Sequence, residues 1–419
     1  MTTACLSDLH LGAWQLNDLL RYPFFINRLT NALEGVDEVV LLGDVLELRF
    51  QRVDEALRAA RPFFTALGEA LRHRSRLRQP ARVVYVAGNH DHHFALQLIE
   101  REQEEAIERG DPQAYRFSGR VRVPPEAFII RELRAMLGPH VAVEFAYSYA
   151  RLETQTGPAL ALHGHYLDLH LASPGERLLA LVQQALTAYQ LDALPPGFDL
   201  YEAVLRPQFE LLYWIGQSPA GAQVQSNLWR RLRGDDRQIP RSVVGRVKRI
   251  AARRALRVAE ALAGAAAHQL TERVLKGDVS LISPARATDA EEGIAALMAS
   301  LRALQPEIFA LEKWQSPPAH IIFGHTHRAG PLSGQDSPQC WRVTWAGRAV
   351  DLWNCGSWLY DSERALTEEY YRTRWPGTLV LIPDGEPPRI VSLLKDLSAD
   401  DLDEMLGAMV PPTPARAAS

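Results

Sequence analysis

Residues 320–330 read HIIFGHTHRAG. An apolar run, Ile321-Ile322-Phe323, stops at Gly324 and is followed by two histidines one residue apart, His325 and His327. A polar turn after a buried strand would account for one histidine. Two imidazoles offered from one loop can reach two different metal ions. The same pattern, an apolar run ending in glycine and then Asp, Asn or His, recurs as VDEVVLLGD at 36–44, ARVVYVAGNHD at 81–91 and PALALHGH at 158–165. These runs are rich in leucine and β-branched residues, as strands buried on both faces are.

Between the first runs lies helical text, such as residues 51–73. Strands alternating with helices imply an α/β protein, in which ligands gather on the loops after the strands. The polar residues in those positions are Asp8 and His10 after TACLS, Asp44 and Glu47 in GDVLE, Asn89, His90 and Asp91 in GNHD, His163 and His165 in HGH, and His325 and His327. Mixed Asp, Asn and His donors suit Mn²⁺, Fe²⁺ or Zn²⁺ rather than a sulfur-rich structural zinc site. Two ions ~3.5–4 Å apart need a shared ligand, which a carboxylate can be, and Asp44 is the candidate. Taken singly each signal is weak. Gly-Asp is commonly a turn, Asn after Gly is a common left-handed residue, and a lone histidine is often a hydrogen-bonded core residue. Five strand ends that all deliver metal-competent groups outweigh those readings together.

The set Asp8-x-His10, Gly43-Asp44-x-x-Glu47, Gly88-Asn89-His90-Asp91, His163-Gly164 and Gly324-His325-x-His327 resembles the calcineurin-like metallophosphoesterase family. The resemblance covers roughly the first 165 residues and 319–394. It implies an α/β fold of two facing mixed β-sheets flanked by helices, an α/β/β/α sandwich, with a large helical insertion in this chain. It further implies one ion held by Asp8, His10, Asp44 and His327, and a second held by Asp44, Asn89, His163 and His325. His90 matches the catalytic histidine, Asp91 the residue that orients it, and Glu47 a residue steadying a ligand or a metal-bound water. The reaction implied is hydrolysis of a phosphoester or phosphoanhydride by a metal-bridging hydroxide, with His90 as proton donor to the leaving oxygen.

LLGDVLE, ALHGH and GHTHR also resemble the bacterial UDP-2,3-diacylglucosamine diphosphatases, which act at a membrane surface. The chain departs from them in carrying His90 in place of Arg and His165 in place of Asp, and its insertion is larger. Two other readings stand beside that one: a nucleic-acid phosphodiesterase and a non-catalytic metal-binding scaffold. His165, Asp168 and His170 are candidates for substrate contact or for steadying the site, and for Asp168 and His170 steadying the site or a plain surface position is the expected role.

Residues 167–318 change character, being long and rich in Ala, Leu and Arg. Within them, Val243, Val247, Ile250, Ala251, Val258 and Leu262 can share one helical face, with Arg246, Lys248, Arg249, Arg253 and Arg257 around it. Three units follow: a discontinuous core at 1–166 and 319–397, a helical insertion or cap at 167–318, and a partly disordered tail at 398–419. The insertion leaves after His163 and returns before His325, so it is expected over or beside the metals. Its basic face would meet a phosphorylated substrate or an anionic membrane carrying it.

The remaining composition sets bounds. A formal charge of −4 over 419 residues argues against a general affinity for nucleic acid. Cys5, Cys340 and Cys355 are widely spaced and read as reduced thiols. No leader-like opening and no apolar run near ~18 residues is evident. The expected location is cytoplasmic, with peripheral membrane contact open.

Overall fold

The computed structural model describes residues 1–13, 16–75, 80–170, 197–218, 290–332, 341–360 and 374–409. Its first sheet runs in the order β11-β10-β1-β2-β3-β4, from β1 (Thr3–Leu6), β2 (Glu38–Leu42), β3 (Ala81–Val86), β4 (Val141–Ala146), β10 (Thr378–Ile382) and β11 (Arg389–Ser392). Strands β1 to β4 are parallel, and β10 and β11 close the edge antiparallel. The second sheet runs β5-β6-β7-β9-β8, from β5 (Tyr149–Thr154), β6 (Gly157–Leu162), β7 (His320–Phe323), β8 (Arg342–Trp345) and β9 (Arg348–Asn354). In it β6, β7 and β9 are parallel.

Alternation along each strand explains the sandwich. Cys5, Val40, Leu42, Val84, Val86, Ala159, Ala161 and Ile322 form one buried layer between the sheets. Their neighbours Leu6, Leu41, Tyr85, Leu160, Leu162, Ile321 and Phe323 point the other way, into the clusters under the helices. Successive side chains of a strand face opposite sides, so a strand covered on both sides is apolar throughout. The layer between the sheets uses small and β-branched residues, which lets two sheets approach closely.

Helices α1 (Pro23–Ala32), α2 (Val53–Ser75), α3 (His93–Glu108) and α4 (Phe128–Leu137) belong to the first half of the chain. Phe25, Phe63, Leu67 and Leu133 join the cluster that includes Val39, Leu41 and Tyr85. From the expected insertion the structure describes α5 (Phe198–Gln217), α6 (Ala290–Glu312) and a 3-10 helix at His165–His170. The α6 helix is long and apolar enough to cross a membrane by length and composition. Here it is the outer layer of the second sheet: Leu297, Leu301, Leu304 and Ile308 are buried with Leu160 and Leu162, and Gln305 accepts a hydrogen bond from Trp345 at 2.6 Å. The two mixed sheets with their helices are the α/β/β/α sandwich the resemblance implied. The basic stretch with Arg246, Lys248, Arg249, Arg253 and Arg257, and Cys340, lie outside the described residues. Cys5 and Cys355 are free, buried thiols.

The tail expected at 398–419 opens with an ordered segment. Its first part is helix α7 (Ala399–Met409), whose Leu402 is fully buried. Ser398 and Asp401 cap its start reciprocally: the Asp401 N–H donates to Ser398 Oγ at 3.1 Å, and the Ser398 N–H donates to Asp401 Oδ2 at 2.8 Å. Residues 410–419 lie outside the described residues.

Candidate metal centre

Five parallel strands end at the same edge of the sandwich. Asp8 and His10 follow β1, Asp44 follows β2, Asn89 and His90 follow β3, His163 follows β6, and His325 and His327 follow β7. Backbone bonds lace these loops together: the His10 N–H donates to the Asp44 carbonyl at 2.8 Å, and Gly324 N–H donates to the His163 carbonyl at 3.0 Å. Of eight non-glycine residues with positive φ among those described, five are Asp8, His10, Asp44, His325 and His327. Each such residue costs conformational energy, so their concentration at one place points to function. The motif glycines are required by crowding. A Cβ on Gly88 would lie 2.4 Å from Asp44 Oδ1, and one on Gly43 2.5 Å from the His163 ring.

Hydrogen bonds on the outer side of each imidazole decide which atom faces inward. His163 Nδ1 donates to the Leu42 carbonyl at 2.8 Å, leaving Nε2 turned in. His325 Nε2 meets Asp168 Oδ1 at 2.6 Å, leaving Nδ1 turned in. His10 Nδ1 meets Glu47 Oε2 at 3.0 Å, leaving Nε2 turned in. The inward atoms then converge. His163 Nε2 lies 3.2 Å from His325 Nδ1 and 3.3 Å from Asp44 Oδ2. His10 Nε2 lies 3.3 Å from His327 Nε2 and 3.7 Å from the same Asp44 Oδ2. Asp8 Oδ1 is buried, accepts no hydrogen bond and lies 3.1 Å from His327 Nε2. Lone pairs gathered in this way repel one another unless a cation lies among them. The donor set of imidazole nitrogens and carboxylate oxygens fits a divalent transition metal. The trios Asp8–His10–His327 and Asp44–His163–His325 are each close enough to hold one ion, and Asp44 Oδ2 stands between them.

The electrostatics agree. Burial disfavours the Asp44 carboxylate, but His163 and His90 beside it hold its pKa well below the usual range. Burial likewise opposes ionisation of Asp8, yet His327 brings it down to about 2. Burial disfavours a charged His163, and Asp44 still lifts it to about 9. The pocket therefore calls for positive charge, which a proton or a metal ion can supply.

His90 is placed beside this centre, its Nδ1 2.8 Å from Glu47 and its Nε2 3.8 Å from Asp44 Oδ2. The expected role of Asp91 needs correction. Its carboxylate is occupied by the Tyr85 hydroxyl at 2.6 Å, the Gly88 N–H at 2.6 Å and the Val45 N–H at 2.8 Å. It fastens the loop after β2 to the loop after β3, and Glu47 holds the imidazole of His90. Glu47 thus serves His10 and His90 together, and their charges outweigh burial to keep its carboxyl below the ordinary range. His165 is buried against the Tyr147 hydroxyl, and His170 meets Tyr201 at 2.7 Å.

Two supports were missed in the sequence. The loop after β9, Asn354-Cys355-Gly356-Ser357-Trp358, braces the site: Asn354 Nδ2 donates to Thr326 Oγ1 at 2.9 Å, and the Trp358 N–H donates to the Asp8 carbonyl at 3.1 Å. It repeats the strand-then-polar-then-Gly pattern, which was its available signal. Arg49, two residues past Glu47, is buried with its Nη1 3.4 Å from His90 Nε2.

Residues 1–170 match the family model of the calcineurin-like phosphoesterases. The match takes in Asp8, His10, Asp44, Asn89, His90 and His163, and ends before His325 and His327. No curated protein matches the chain.

Proposed function

We propose that this chain, whose residues 1–170 match the family model of the calcineurin-like phosphoesterases, is a two-metal hydrolase of a phosphoester or phosphoanhydride. The family is one of metal-dependent phosphoric ester hydrolases. The observation that carries the reading is the convergence of inward lone pairs from five strand ends on Asp44 Oδ2. Asp8, His10, Asp44 and His327 would hold one ion, and Asp44, Asn89, His163 and His325 the other. Mn²⁺, Fe²⁺ and Zn²⁺ suit these donors. When bound, two such ions make water acidic enough to ionise near neutral pH and offset phosphoryl charge. The chain's own residues do the rest. His90 holds a proton at Nε2, beside the site, for the leaving oxygen. Glu47, at Nδ1, favours the imidazolium against burial, which pushes the His90 pKa down. Asp168 orients His325 from the far side of its ring.

The insertion is read as a cap. Phe209 of α5 lies under the Arg49 guanidinium, and Glu202 of α5 meets His92 at 3.0 Å. Gln217 accepts from the Val53 N–H at 2.9 Å. These contacts support a cap seated beside the metals that selects the substrate.

The test is turnover of a small aryl phosphodiester and an aryl phosphomonoester by the purified chain. Activity that disappears with a chelator and returns with Mn²⁺ is expected. No turnover of either substrate, or of a panel of nucleotide sugars and single-stranded DNA, with any of the three metals would favour the scaffold reading instead.

A further inference from the structure

Helix α5 carries one carboxylate on its buried face. Phe198, Leu205, Phe209 and Tyr213 are buried at helical spacing, and Glu202 lies among them at 7% exposure. A carboxylate without partners would be costly there, so its partners show what it does. Oε1 accepts from the Tyr147 and Tyr166 hydroxyls, the second at 2.6 Å, and Oε2 accepts from His92 Nε2 at 3.0 Å. Burial opposes ionisation of Glu202, yet His92 and the two tyrosines hold its pKa below the ordinary carboxyl range.

The three partners come from separate places in the sandwich. His92 precedes α3 and stands two residues after His90. Tyr147 lies between β4 and β5, and Tyr166 lies in the 3-10 helix after β6, three residues past His163. A carboxylate only accepts, so His92 Nε2 carries its proton and both tyrosine protons are committed to Glu202. This fixes the register of α5. A slip of one residue would turn Glu202 by about 100° away from all three donors.

The register has a second consequence. Phe209, about two turns past Glu202, is set 5.1 Å from the Arg49 guanidinium carbon, measured to the ring centroid. Arg49 Nη1 in turn lies 3.4 Å from His90 Nε2. The Phe209 ring is also 5.3 Å from the His92 ring, so the two routes meet. Helix α5 thereby bears on His90 from two directions, along the chain through His92 and across the site through Phe209 and Arg49.

We infer that Glu202 is a positioning residue for the proton donor: by locking α5 in register it sets the His90 imidazole where proton transfer to the leaving oxygen needs it. This rests on the metal-hydrolase reading above. The helix then completes the reacting centre, beyond selecting what enters it.

The test uses the full chain reconstituted with Mn²⁺, as wild type, Glu202→Leu, Glu202→Gln and His90→Ala. Bound metal, melting temperature, kcat and KM are measured for each on two aryl phosphoesters that differ in leaving group, p-nitrophenyl and phenyl. With bound metal unchanged, Glu202→Leu should lower kcat on the phenyl ester by about 10–100-fold, the scale of a misplacement of about 1 Å. On the p-nitrophenyl ester the loss should be about threefold or less, since that leaving group needs little protonation. KM should stay within about threefold of wild type on both. Glu202→Gln still accepts from the tyrosines and should retain more of the phenyl activity, and it decides on the same readout if the leucine variant does not fold. Wild-type kcat per metal-loaded chain, with only the melting temperature lowered, would overturn the proposal and leave Glu202 an anchor for α5. So would an equal loss on both esters, or a change in KM alone. A metal-loaded wild type without turnover, or a His90→Ala variant that loses both esters equally, would instead reject the parent reading.

Discussion

At Asp44 a single oxygen, Oδ2, faces His163 at 3.3 Å and His10 at 3.7 Å, while Oδ1 accepts from the His90 N–H at 2.8 Å. That division of labour predicts a specific defect. Asp44→Asn should leave at most one ion tightly bound and lower turnover by at least about 10²-fold, because a neutral amide bridges two cations poorly. Glu47 and Asp91 should separate in kind. Glu47→Gln should cut turnover by ~10²–10⁴-fold, the range of a positioned acid or base, through His90. It should also loosen the ion held by His10. Asp91→Asn should act through stability: an amide NH₂ would face the Tyr85 O–H or the Gly88 N–H, a cost of about 1–3 kcal/mol read from denaturant midpoints. Equal metal binding and activity for Glu47→Gln and wild type would contradict the assignment. Why Asp91 was misread is plain in physical terms. Adjacency in GNHD says nothing about direction: the His90 ring faces Glu47 and Asp44, while the Asp91 carboxylate faces Tyr85, Gly88 and Val45.

At the scale of elements, the strands that deliver ligands were readable because burial on both faces makes them continuous apolar runs. The layer they share was not readable, since which alternate residues face the partner sheet depends on the packing. Ala159 and Ala161 of β6 lie in that thin layer, both fully buried. Ala161→Leu should therefore cost about 1–3 kcal/mol by overpacking, measured by urea unfolding. It should also lower activity by shifting His163, two residues on. An unchanged midpoint would show that the sheets can separate there at no cost. Helix α7 was hidden by its place next to a proline-rich end, although Ser398-x-x-Asp401 is a capping signal. Arg49 was overlooked because nothing in LELR announces an arginine buried beside His90, and part of its surroundings comes from Phe209, 160 positions later in number.

For the molecule as a whole, the candidate metal edge joins distant parts of the chain: the loops after β1, β2 and β3 of the first sheet, the loops after β6 and β7 of the second, and α5. Metal should hold these together. Ions at 100 times their dissociation constant add about 2.7 kcal/mol per site to folding stability. Chelation should lower the melting temperature, and Mn²⁺ should restore it. Protons compete for the same lone pairs. His163, lifted to about 9 by Asp44 against the effect of burial, must lose its proton to take an ion. Apparent Mn²⁺ affinity should therefore fall as pH drops below about 9, by up to about tenfold per unit, which isothermal titration in buffers of different ionisation enthalpy would register as proton release. Helix α5 reaches this edge through Phe209 and Glu202, which meet Arg49 and His92.

If five strand ends build one centre for two ions sharing Asp44, each chain holds two ions close enough to couple magnetically. Metal content and electron paramagnetic resonance of the Mn²⁺-reconstituted full chain, after removal of free metal, test it together. Two Mn²⁺ per chain are expected, with an exchange-coupled spectrum that is lost in Asp44→Asn. One Mn²⁺ or none per wild-type chain, or two ions giving uncoupled spectra, would contradict it.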